Sequence, residues 1–66
     1  MLNKEGEREL LQTRRRFVKR HGEKKWVDLN FYLFKLNFSE ERTAHNMKVK
    51  RWFVRYWKGE IYRLMR

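Results

Sequence analysis

Cysteine is absent from the 66 residues of this chain, so neither a disulfide nor a thiolate-bound metal can brace it, and thiol redox chemistry is excluded. The constraint is severe at this length. A single domain of this size buries only about 60% of the surface its unfolded chain exposes, and small folds usually add a disulfide, a metal or a second subunit to a thin core. This chain offers aromatic mass instead: 5 Phe, 3 Tyr and 3 Trp. Large rings bury much area for little conformational entropy. One small basic domain over residues 1–66 must build its core from them.

Charge is the second constraint. The chain holds 18 basic and 8 acidic residues, a formal net of +10. Residues 1–25 hold nine bases against four acids, residues 26–46 two against three, and residues 47–66 seven against one. Like charge at this density repels itself in the compact state and attracts polyanions. Two basic ends around a near-neutral apolar middle fit a core element between elements that face an anionic partner. The start, MLNKEGERELL, lacks the apolar run of a signal peptide, and the longest apolar run, residues 31–34, is far too short to span a bilayer. The expected setting is intracellular, cytoplasmic or nucleoid-associated, with no membrane partner.

Residues 4–20 predict a helix. They are rich in Glu, Leu, Arg and Lys, all good helix formers, and Leu10, Leu11, Phe17 and Val18 form one apolar stripe. Acids come early (Glu5, Glu7, Glu9) and bases late, an order that complements the helix dipole; His21-Gly22 is a natural stop. Residues 26–38 satisfy two periods. Val27, Leu29, Phe31 and Leu33 alternate as in a strand, while Trp26, Leu29, Leu33 and Leu36 form a helical stripe, and the reading leans to helix. Ser39, followed by Glu40 and Glu41, suits a helix start.

The next stretch, TAHNMKVKRWFVRYWKGE, interleaves rings with cations. As a helix it aligns Lys48, Arg51, Arg55 and Lys58 in a basic stripe, sets Val49, Trp52, Phe53, Tyr56 and Trp57 on the opposite arc with Trp52 and Trp57 buried, and ends at Gly59. The expected fold is therefore mainly α, a small three- or four-helix domain. The alternative is α+β, an N-terminal helix with a small antiparallel sheet from residues 26–37, 48–57 and 60–65.

Ala44, Met47, Val49, Val54 and Trp57 are spaced like the apolar skeleton of a helix-turn-helix DNA-binding unit, which residues 40–57 resemble. The resemblance implies that Ser39 caps the first helix, that Lys50 to Lys58 form the recognition helix, and that Lys50, Arg51, Arg55 and Phe53 point toward DNA. Where that family has a turn glycine this chain has Lys48, and where it favours a small hydroxyl residue it has Lys50. Without the glycine, one unbroken helix from Ser39 to Lys58 is the competing arrangement.

Catalysis finds little material. Ser39 and Asp28 are the chain's one serine and one aspartate, and a nucleophile needs a base and an orienting group in reach. His21 and His45 are isolated and make no metal set; no cofactor is expected. The candidate nucleic-acid-binding residues are Lys48, Lys50, Arg51, Arg55 and Lys58, joined by Arg14, Arg15 and Lys19 from the basic run of the first helix. The function expected is a non-enzymatic nucleic-acid-binding protein, a small DNA-binding regulator or accessory factor. The alternatives are an RNA-binding or ribonucleoprotein component, and an adaptor or inhibitor docking on an acidic protein. A homodimer would bury further ring area and double the basic surface.

Overall fold

A computed structural model describes residues 3–65, which form four helices: α1 (Lys4–His21), α2 (Glu23–Leu36), α3 (Glu40–Met47) and α4 (Arg51–Leu64). No strand occurs among the described residues, so the sheet alternative is set aside. Among the described residues no helix is long and apolar enough to cross a membrane.

Helix α1 starts at Asn3, whose Oδ1 accepts from the Gly6 N–H at 2.9 Å, and it ends on Lys19, Arg20 and His21. A single residue, Gly22, joins it to α2. Its φ of 92° and ψ of 159° lie in a region essentially restricted to glycine, and its N–H still closes onto the Val18 carbonyl at 2.8 Å. Helix α2 ends at Asn37, in the left-handed conformation that asparagine tolerates better than most residues. Ser39 caps α3, its Oγ accepting from the Arg42 N–H at 3.4 Å.

The core is a run of rings contributed by three helices. Trp26 of α2 stacks on Trp57 of α4 with centroids 5.3 Å apart and planes within 1°. Phe17 of α1 tilts against Trp26 at 5.5 Å, and Phe53 stacks on Trp57 at 6.0 Å. Phe38, just before α3, closes the far side of Trp57. Asn30 ties this run together: its Nδ2 donates to the Trp26 carbonyl and its Oδ1 accepts from Trp57 Nε1, both at 2.7 Å. The indole N–H therefore keeps a partner inside the core, which a buried Trp requires.

Helix α1 reaches α4 through a close approach. A Cβ on Gly6 would lie 2.6 Å from Cγ of the Tyr56 ring, so only a residue without a side chain lets the two helices meet there. The same ring is held at its tip, where Tyr56 Oη donates to Glu60 Oε1 at 2.9 Å.

Three expectations are corrected. The last helix does not end at Gly59 but runs to Leu64, because Ile61 is buried in the core and the Tyr62 hydroxyl donates to Asn37 Oδ1 at 2.7 Å. A helix is not continuous from Ser39 to Lys58: it breaks at Lys48, which takes a φ of 58°. Leu11 leaves the core stripe and is half exposed, whereas Leu10, Phe17 and Val18 pack against the core.

Candidate nucleic-acid interface

The connection from α3 to α4 sets the geometry of the basic surface. Past Met47 the N–H of Lys48 donates to the His45 carbonyl at 3.3 Å and that of Val49 to the Ala44 carbonyl at 3.1 Å. The left-handed residue and its paired bonds close the end of α3, and the chain restarts at Lys50 in extended geometry. Ala44, Val54 and Trp57 are buried, and Met47 and Val49 pack against them. All five apolar positions of the skeleton thus turn inward, and the cations between them turn out.

Lys48, Lys50 and Arg51 are exposed. Among the described residues, none of the three has a carboxylate within ion-pair distance. Lys50 occupies the N-cap position of α4 without a side-chain cap bond, and the first turn of α4 holds no acid. A lysine has no acceptor to offer the free N–H groups there. Cations at the positive end of a helix dipole are unfavourable by about 0.3–1 kcal/mol each. The start of α4 is thus a local concentration of unneutralised positive charge.

The other candidate residues divide. Arg55 is exposed but its Nε lies 3.3 Å from Glu40 Oε1 on α3, an exposed pair that leaves most of the guanidinium in water. Lys58 does not belong to the free ridge: its Nζ donates to the Phe38 carbonyl at 2.8 Å and sits over the Phe38 ring at 5.2 Å. The long stem folds back over apolar surface and spends its charge on the junction between α2 and α3. Phe53 does not point outward; it is 1% exposed. Trp52 is not buried but 38% exposed, beside Arg51 and one turn from Arg55 on the outer face of α4. Arg63, further along α4, is engaged with Glu60 at 2.8 Å. That bond, and then the Tyr56 hydroxyl, hold the Glu60 carboxyl below its ordinary value.

On α1 the run of arginines splits around the helix. Arg14 pairs with Glu23 at 2.9 Å and edges an apolar cleft of about 450 Å³ between α1, α2 and α4, lined by Leu10, Leu11, Val27 and Leu64. Arg15 is exposed. Lys19 instead faces the α3–α4 turn. With Arg16, Arg20 and His21 it lines one wall of a groove of about 780 Å³ whose other wall is Asn46, Met47, Lys48 and Val49. Arg16 and Arg20 belong to the same basic run as the sequence candidates Arg14, Arg15 and Lys19. Their signal is the spacing 16, 19, 20, which places three cations on one face of a helix.

Neither histidine enters a ligand set: His45 is exposed and His21 leans on the Phe17 ring at 4.7 Å. No group of three or more potential metal ligands occurs among the described residues. Compared with known proteins, the chain matches no family model, no curated protein and no solved structure.

Proposed function

We propose that the protein is a non-enzymatic nucleic-acid-binding module that meets duplex DNA through the α3–α4 turn and the outer face of α4. The observation that carries this reading is the start of α4. There Lys48, Lys50 and Arg51 crowd the positive end of a helix with neither a cap bond nor an acid in its first turn. Lys48 suits the negative end of α3, but Lys50 and Arg51 are opposed by the dipole of α4, and a phosphate relieves them. Support comes also from the likeness of residues 40–57 to a helix-turn-helix unit, whose small and apolar positions face inward here. In this reading Lys48 and Lys50 hold phosphates and so set affinity, while Arg51 reaches base edges and contributes selectivity. Arg55, steered by Glu40, supports either task. In this reading the module regulates DNA or assists in handling it through binding.

The test is the affinity of the chain for a duplex across a salt series. Each phosphate contact contributes about 0.9 to the slope of log affinity against log salt, so three or more contacts give a slope steeper than about −2.5. The Arg51→Ala variant weakens binding about tenfold or more at its preferred sequence without lowering the melting temperature. A flat salt response ends the proposal.

A second reading is favoured by one observation. Trp52 stands exposed between Arg51 and Arg55, the combination of ring and cation on which unpaired bases stack. Competition between duplex DNA, single strands and structured RNA at one salt concentration separates the two. If Trp52→Ala costs single-strand affinity more than duplex affinity, an RNA or single-strand partner is preferred.

A further inference from the structure

The groove between α1 and the α3–α4 turn takes one wall, with Arg16, Lys19 and Arg20, from α1, outside the resemblance, and shares Lys48 with the surface assigned to the turn and α4. We propose that it is a second phosphate-binding channel, which takes the sugar–phosphate backbone of the same nucleic acid beyond the stretch met by α4. This rests on the nucleic-acid reading above and adds a partner surface to it.

Three features carry the inference. Arg16, Lys19 and Arg20 from α1 face Lys48 across the channel, and no carboxylate lines it. Among the described residues none of these four cations has an ion-pair partner. Among the described residues the one hydrogen bond any of their side chains makes is that of Arg16 Nη2 to Thr13 Oγ1, at 3.4 Å. Charges of one sign gathered against low-dielectric walls focus the field into the channel, and here Phe17, Met47 and Val49 supply the apolar wall. The helix dipole accounts for cations at the end of α1 and at the end of α3 separately. It gives no reason for the two ends to face one trough with nothing negative between them.

An extended polyanion can meet cations that come from two separate elements, Arg16, Lys19 and Arg20 of α1 and Lys48 of the α3–α4 turn. Lys48 lines the channel and precedes α4 by three residues, so one strand can run from the groove onto the turn. Contacts of this kind read no sequence. Their loss weakens binding to every sequence by the same factor.

The test uses the full chain and a duplex of about two helical turns. Lys19→Ala with Arg20→Ala removes two exposed cations from the channel. Lys24→Ala with Lys25→Ala removes the same charge from the exposed first turn of α2, away from it. The channel variant is expected to lose about two units of salt slope and tenfold or more in affinity, equally on unrelated sequences. The α2 variant stays within about half a unit of the wild type. Lys19→Arg with Arg20→Lys, which keeps the charge, restores the wild-type slope and shows that the loss is not one of folding. If the channel and α2 variants behave alike while the wild type binds steeply, the channel is overturned and the α4 reading stands. If the wild type shows no salt-dependent binding, both fall together.

Discussion

Helices α3 and α4 begin eleven residues apart and are prepared in opposite ways. At the start of α3, the Ser39 hydroxyl accepts a backbone N–H, and Glu40 and Glu41 occupy the positive first turn. At the start of α4 the cap position holds Lys50, the next residue is Arg51, and neither a side-chain cap nor an acid is present. The first helix end is satisfied from within. The second is left positive and open, although Lys50 already has the extended geometry that a capping side chain needs. The contrast separates a helix end satisfied from within from the one on which the proposed contact rests.

The same division runs along α4 itself. Phe53, Val54, Trp57 and Ile61 face the core, and Arg51, Trp52, Arg55 and Gly59 face water. Two tryptophans of one helix therefore have different work. Trp57 is 1% exposed and hydrogen-bonded to Asn30; Trp52 merely sets its ring edge-on to Phe53.

The largest expected effect tests whether that inner face holds the open helix end in place. Trp57→Ala costs about 3–5 kcal/mol, comparable with the whole stability of a domain this small, and denaturant unfolding should find the variant largely unfolded. Trp52→Ala should stay within about 1 kcal/mol of the wild type. Equal losses at the two positions would erase the distinction between the faces. Next comes Gly6→Ala, which drives a methyl into the Tyr56 ring. Overpacking of this kind costs about 1–3 kcal/mol, well beyond what the gain in helix propensity returns, and a thermal melt checks it. Ser39→Ala removes the internal cap of α3 and should cost about 1 kcal/mol. It should leave nucleic-acid affinity nearly untouched, unlike a change at Lys50. The smallest effect is Gly59→Ala. Nothing lies within 4 Å of the added methyl, so exchanging an exposed mid-helix glycine stabilises by about 0.5–1 kcal/mol.

Much of this was legible in the residues themselves. Acids early and bases late marked α1, and Ser39 before two glutamates marked α3. Residues 26–38 were ambiguous because their rings satisfy two periods at once. The structure decides for the helix by burying Trp26 and Leu33 and exposing Val27 and Phe31, which a strand would have put on the same face as Leu33. Gly59 looks like a terminus by local rules, yet tertiary contacts through Ile61 and Tyr62 carry the helix past it. The basic ridge was half legible. Spacing placed Arg51 and Arg55 outward, but it could not show that Lys58 bonds to Phe38, twenty residues away. Nor could it show that Glu40 meets Arg55, fifteen away. That Arg16, Lys19 and Arg20 share a face follows from the helix period; that the face looks across at Lys48 is a property of the assembled fold.

The central claim is that the start of α4 is kept positive at the expense of local stability, for an anion that binds there. Lys50→Ser examines it most directly, with stability and duplex affinity measured on the same preparation. A serine in that geometry caps the helix, so the account predicts a gain of about 1 kcal/mol in unfolding free energy. It predicts at the same time weaker duplex binding, with a salt slope shallower by about one. A variant that is no more stable, or one that binds duplex as tightly and with the same salt dependence, would contradict it.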